Sequence, residues 1–162
     1  MIKPLPVGVI IDGPCLPNWY GTKILDYFTN DDLWFKANLH AINSFPDAIF
    51  LPGFWAELGM CTEPSAFGAI CSFPANEFPH AKKIIYSIED IERLSPPNPL
   101  KDGLAPFILN RLVLNKDRIE GNGHKIYFSI SRGPLNIASY LMGVQEFLTA
   151  MITHPEQAHH LL

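Results

Sequence analysis

The segment Lys125–Gly143, KIYFSISRGPLNIASYLMG, constrains the fold of this chain more than any other stretch. Ile126–Ile130 is a short apolar run that predicts a buried strand. Ser131-Arg132-Gly133-Pro134 then forms a sharp turn, and the helical pattern begins at once. Proline suits the first helical position, because its missing N–H would find no intrahelical partner there. The segment therefore sets the free N–H groups of a helix start just past a strand's carboxyl end. In parallel α/β folds ligands gather at that place. Arg132 stands there too.

The rest of the chain supplies elements of the same kind. Pro6–Asp12, PVGVIID, reads as a fully buried first strand bounded by Gly13-Pro14, and Cys15–Tyr20 reads as a loop. Thr29 or Asn30 can cap a helix whose first turn holds Asp31 and Asp32 and whose apolar positions are Trp34, Ala37, Ala41 and Phe45. Pro46-Asp47 ends it, and Ala48–Leu51 is a second strand. Pro52 to Pro79 is irregular; Ala69–Phe73 and Lys83–Tyr86 are expected to form a small flap. Ser87-Ile88-Glu89-Asp90 has the form of a capping box. Asp102 is expected to cap a helix reaching about Glu120, closed by Gly121-Asn122-Gly123. The order β-α-β-loop-α-α-β-α implies a parallel sheet with right-handed crossovers.

Composition removes several function classes. The net charge of −4 argues against a nucleic-acid partner. No run of apolar residues is long enough for a membrane span, and the first residues lack the apolar stretch of a signal peptide. Three cysteines, Cys15, Cys61 and Cys71, are odd in number and have no metal-finger spacing. That pattern favours a reducing cytoplasm over a disulfide framework.

Three groups of residues follow the three expected strands and would meet at one rim. The first is Asp12 with Cys15 and Trp19; the second is Phe54, Trp55, Glu57, Cys61 and Glu63; the third is Ser131, Arg132 and Asn136. Arg132 can clamp a carboxylate or phosphate, or it can serve as a structural ion pair with Glu57 or Asp12. Asp12 can act as a general base or orient a ligand, or it can be a turn former beside Gly13. Glu57 and Glu63 are acid–base or metal candidates, or solvated loop carboxylates. Trp19, Trp55 and Phe54 can cover a large, flat, partly apolar ligand, or simply pack. No set of Cys and His has the close spacing that preassembles a zinc site, so no metal is assigned to this chain alone.

Gly133-Pro134-Leu135-Asn136-Ile137-Ala138-Ser139-Tyr140 resembles the glycine-proline-x-x-x-alanine-serine-tyrosine turn of the uroporphyrinogen decarboxylase family in its broad sense, which includes cobalamin-dependent methyltransferases. Asp26-Tyr27-Phe28-Thr29, Ala48–Leu51 leading to Gly59-Met60, Ser87–Leu94 and His154-Pro155-Glu156 fall in family order, so the resemblance runs from about Val7 to Leu162. It implies a (β/α)8 barrel, which needs at least about 200 residues. The chain is thus expected to be one domain, residues 1–162, forming the amino-terminal half of a barrel with about three parallel core strands and a small β flap. A helix still in progress at His159-His160-Leu161-Leu162 fits that expectation.

The resemblance also implies chemistry. The decarboxylase proper has an arginine-glutamine-alanine-glycine-arginine-tyrosine motif after its first strand, where this chain has Asp12-Gly13-Pro14-Cys15-Leu16-Pro17. Its aspartate after the second strand meets Pro52-Gly53-Phe54-Trp55 here, with Glu57 out of register. A substrate with many carboxylates needs cations, since buried unpaired carboxylates are costly. The departures favour a corrinoid methyltransferase-like enzyme acting with a tetrapyrrole or corrinoid ligand and a corrinoid protein. Zinc, in that branch, would come from the later half of the barrel. A decarboxylase with altered contacts, and a non-catalytic fragment that self-associates into a homo-oligomer, are the other two readings.

Overall fold

The computed structural model describes residues 5–11, 13 and 15–162. The chain divides into two compact units. The first comprises Met1–Leu58, Pro74–Phe78 and Ile108–Ile130; the second comprises Gly59–Phe73, Pro79–Phe107 and Ser131–Leu162.

In the first unit, β1 (Val7–Val9) and β2 (Ala48–Phe50) pair in parallel, with Val7 opposite Ala48 and Val9 opposite Phe50. Three helices lie between them in sequence: α1 (Cys15–Tyr20), α2 (Ile24–Thr29) and α3 (Asp31–Ser44). The expected loop Cys15–Tyr20 is therefore a helix, and its Pro17 falls within the first turn, where no N–H is required. Asn30 caps α3, its side chain accepting from the N–H groups of Asp32 and Leu33. Asp31 and Asp32 then sit at the positive end of the helix dipole.

That acidic turn is paired with α5 (Ala105–Gly121). Arg111, 2% exposed, donates through Nε to Asp31 Oδ1 at 2.6 Å and through Nη2 to the Phe28 carbonyl at 2.7 Å. Arg118 reaches Asp32 at 2.7 Å, and its guanidinium lies 3.8 Å from the centre of the Phe35 ring. Ile108, Arg111, Leu112, Asn115 and Ile119 form the buried stripe of α5, at helical spacing. The helix closes as expected: Gly123, at φ +81°, donates to the Glu120 carbonyl.

Two strand expectations need correction. The first strand is not fully buried, since Val7 is 61% exposed and Ile49 of β2 is 51% exposed. The segment Ile126–Ile130 pairs with no strand among the described residues, and Tyr127 and Phe128 are exposed. A cleft of about 520 Å³ lies between β2 and the segment Gly123–Tyr127. An apolar run declares that a segment wants burial; ladder pairing also needs a partner edge at hydrogen-bonding distance. Phe45 likewise lies outside the core, 51% exposed past the end of α3.

In the second unit the flap forms, with a shifted second strand. It consists of β3 (Cys71–Ser72) and β4 (His80–Ala81), antiparallel, rather than a pairing through Lys83–Tyr86. The predicted capping box is present on a 3-10 helix, Ile88–Arg93: Asp90 Oδ2 accepts from the N–H groups of Tyr86 and Ser87. Asp102 does not cap α5. Its carboxylate accepts from the Asn98 N–H at 2.6 Å, and the helix starts three residues later. Ser65, in α4 (Thr62–Ala66), instead takes the Leu104 N–H at 2.9 Å.

Three consecutive helices complete this unit: α6 (Pro134–Met142), α7 (Val144–Thr153) and α8 (Pro155–His160). Pro134 opens α6 as predicted. Gly143 at φ +102° breaks the path to α7, and Pro155 sits in the first turn of α8. Their buried faces, with Ala138, Leu141, Phe147, Ala150 and Ala158, form one core with Ile85 and Ile91. The Leu141 carbonyl takes the N–H groups of Ile84 and Ile85, which fastens the segment after the flap to the end of α6. No helix among the described residues is long and apolar enough to cross a membrane.

Gly103 is held at φ +58°, and an added Cβ would overlap the Ala66 backbone nitrogen and come to 2.5 Å from the Ser65 carbonyl carbon. Gly103→Ala is expected to destabilise the protein by roughly 1–3 kcal/mol, seen as a lowered urea midpoint. Gly121, whose added Cβ would meet nothing within 4 Å, is the control: Gly121→Ala should leave the midpoint within error or raise it.

Candidate functional site

The candidate residues fall into one cluster in each unit. In the first unit the loop after β2 is positioned by a single buried carboxamide. Asn38, 2% exposed on α3, accepts the Trp55 N–H at 2.8 Å and donates to the Trp34 carbonyl at 2.8 Å and the Tyr27 hydroxyl at 3.1 Å. The Trp55 carbonyl takes the Trp34 indole N–H at 2.7 Å. Burial pushes the Tyr27 phenol well above its ordinary range, and the Asn38 hydrogen bond opposes that only in part, so Tyr27 stays neutral.

This frame carries Glu57 into the interior. Glu57 is 6% exposed and accepts the Gly13 N–H at 3.0 Å. A Cβ at Gly13 would lie 2.8 Å from the same Glu57 oxygen and 3.2 Å from the Phe28 ring, so the close approach needs glycine. Glu57 thus ties the loop after β1 to the loop after β2 and is not a solvated loop carboxylate. Asp12, the neighbouring candidate, lies outside the described residues.

The aromatic candidates separate. Phe54 is 2% exposed and packs against Phe35 and Trp34, at 5.2 and 5.8 Å between ring centres. It is core and offers no surface to a ligand. Trp55 is half-buried, and its indole N–H has no partner among the described residues. Trp19 is 45% exposed and lies against His40 and Phe45. With Ile10, Ile11, Cys15 and Phe45 it lines an apolar cleft of about 460 Å³ directly after β1.

In the second unit the turn before α6 is clamped by Glu63. One carboxylate oxygen accepts the Arg132 backbone N–H at 2.7 Å, and the other lies 3.6 Å from the Arg132 guanidinium. The side chains of Arg132 and Glu63 are 19% and 13% exposed, so the pair is largely withdrawn from water. Arg132 is ion-paired with Glu63, a residue outside the two partners, Glu57 and Asp12, expected for it. The guanidinium also lies 6.0 Å from the Tyr140 ring centre. Ser131 and Asn136 flank it, both exposed at the start of α6. The result is a cation with hydrogen-bonding neighbours beside a helix N-terminus, a setting suited to an anionic group.

Tyr140 is the member of this cluster that the spacing could have disclosed. Asn136 and Tyr140 are four residues apart and Arg132 four before them, so the three share one side of the helix and its lead-in. Asn38 left no such signal, because a buried asparagine in a helix is visible only through partners distant in sequence. Among the described residues no three His, Cys, Asp or Glu gather as metal donors, so these residues do not fit a zinc ion.

Glu63→Ala removes the acceptor of the Arg132 amide, and the loss of a buried hydrogen bond to a charged group should speed exchange of that amide by about tenfold or more. Hydrogen-exchange measurements should find Glu63→Gln intermediate, since the amide oxygen can still accept but the charge is gone. An unchanged Arg132 amide in Glu63→Ala would show that the clamp does not hold the turn.

A family model described as uroporphyrinogen decarboxylase (URO-D) matches residues 18–162. No curated protein matches the chain.

Proposed function

Because the chain belongs to the uroporphyrinogen decarboxylase family, we propose that it is a methyltransferase-like member acting with a corrinoid, and that it supplies the first three or so strands of the family's barrel. The family carries a TIM-barrel-like fold, and the parallel pairing of β1 with β2, with helices between them in sequence, agrees with that. The carrying observation is the charge of the loops. From Ile10 to Thr22 and from Leu51 to Leu58 there is no lysine or arginine, and Arg132 is already engaged by Glu63. A substrate with many carboxylates would find few cations here, whereas an apolar cleft edged by Trp19 and Phe45 suits a large ring system.

In this reading Trp19 offers an aromatic wall and Glu57 keeps the first two loops in place, while Arg132 with Ser131 and Asn136 is a separate candidate, in the second unit, for an anionic group. Asp12 and Glu57 are the acid–base candidates, and half-buried Trp55 is a further aromatic contact. A corrinoid, when bound, supplies the methyl group and its transfer chemistry. Zinc belongs to the same reading, but no step is assigned to it, since the described residues do not fit it. The odd number and spacing of the three cysteines are the ground for a reducing cytoplasmic setting in this reading.

The test is competitive binding followed by tryptophan fluorescence. Hydroxocobalamin should quench the emission saturably, and Trp19→Leu should weaken that binding by about tenfold through loss of the aromatic wall. Uroporphyrin should bind at least about tenfold more weakly, because its carboxylates lack cationic partners. Tighter binding of uroporphyrin than of cobalamin would favour the decarboxylase reading instead.

The exposure of Val7, Ile10 and Ile49 supports a second reading, a non-catalytic fragment that self-associates through its apolar sheet. Sedimentation should then give a mass that rises with concentration, and Ile49→Lys should return it to the monomer. A constant monomer mass would remove this reading.

A further inference from the structure

Cys61 and Cys71 are used by none of the chemistry above, yet they are built into one site. Cys61 immediately precedes α4 and is 0% exposed; Cys71 opens β3 and is half-buried. The Cys71 thiol lies 3.7 Å from the carbonyl oxygen of Cys61 and 3.7 Å from that of Ala69. The Cys71 thiol is also near enough to Cys61 to push the Cys61 thiol up. Neither is in a disulfide, and Cys15, the third cysteine, belongs to the other unit. The short segment between them carries Glu63, whose carboxylate clamps the Arg132 turn.

We propose that Cys61 and Cys71 are a thiol–disulfide site operated by hydroperoxides, with Cys71 the reacting thiol and Cys61 the resolving one. The order follows from access, since an oxidant reaches half-buried Cys71 before fully buried Cys61. Burial, and next the nearby Cys71 thiol, push the Cys61 thiol up, so it is the poorer first nucleophile. In the first step the Cys71 sulfur attacks one peroxide oxygen and the O–O bond breaks. The products are a sulfenic acid and water, or an alcohol from an organic peroxide. In the second step the Cys61 sulfur attacks the Cys71 sulfur, the S–O bond breaks, and the hydroxyl leaves as water with the Cys61 proton. Two thiols are oxidised by two electrons, and one peroxide is reduced. The bridge closes the loop that holds α4 and fixes Glu63 against the Arg132 turn.

The experiment uses the full chain with Cys15→Ser, reduced and then treated with one equivalent of hydrogen peroxide. The intact mass should fall by two hydrogens, and peptide mapping should find Cys61 joined to Cys71. The bridge should form at least about tenfold faster in the folded chain than in urea, because the fold raises the effective concentration of the pair. Dithiothreitol should restore both thiols. Exchange of the α4 amides and of the Arg132 amide should slow in the oxidised form. With Cys71→Ser the remaining Cys61 should resist both peroxide and alkylation while the chain is folded. Three results would overturn the proposal: equal rates in folded and unfolded chain, Cys71 climbing to sulfinic acid while Cys61 stays alkylatable, or cross-links only between chains. None of these outcomes depends on the proposed function.

Discussion

Three-residue strands cannot hold a pair of loops in place by ladder hydrogen bonds alone, and the first unit depends on Asn38 to do it. A buried carboxamide has two donors and an acceptor that must all be satisfied, which makes its geometry exacting. Its acceptor takes the Trp55 N–H, and its donors take Trp34 and Tyr27. The loop after β2 is therefore referenced to α3 rather than to its own strand. Glu57 inherits that placement and passes it to Gly13, between the end of β1 and α1. The buried Arg111 guanidinium does the corresponding work at the start of α3, gathering Asp31 and the end of α2.

The second unit solves its own positioning problem with a charge. Glu63 meets both the backbone and the side chain of Arg132, so one carboxylate sets the turn and neutralises its cation. The same pairing limits what Arg132 can do. A guanidinium already facing a carboxylate binds a second anion only in competition with it, and withdrawal of both from water strengthens the competitor. This is why the charge inventory of the loops weighs more heavily in the functional reading than the mere presence of an arginine at a helix start.

Local chemistry made many elements legible. Asn30, Asp31 and Asp32 announced the start of α3; Pro134 announced α6; Ser87 and Asp90 announced the turn at Ile88; Gly123 announced the end of α5. Each of these signals is satisfied within about four residues, so the sequence carries both partners. Asp102 shows the limit. Its carboxylate could cap a helix or close a turn, and the Asn98 N–H competed successfully. The apolar content of Ile126–Ile130 was equally plain, but pairing requires a neighbouring edge that no local pattern can supply.

The sequence by itself determined the family, the first two strands, most helix starts, and the candidates Glu57, Arg132, Ser131, Asn136, Trp19 and Trp55, because motif order and helix-end chemistry are written locally. Tertiary structure alone decided what each of them faces. It buried Phe54 as core and left Trp19 at an open cleft. It gave Arg132 to Glu63, sixty-nine residues away, and Glu57 to Gly13, forty-four away. It brought the Cys71 thiol to 3.7 Å from the Cys61 carbonyl oxygen. Such pairings depend on distances between residues far apart along the chain, and those are fixed only when helices and strands have packed.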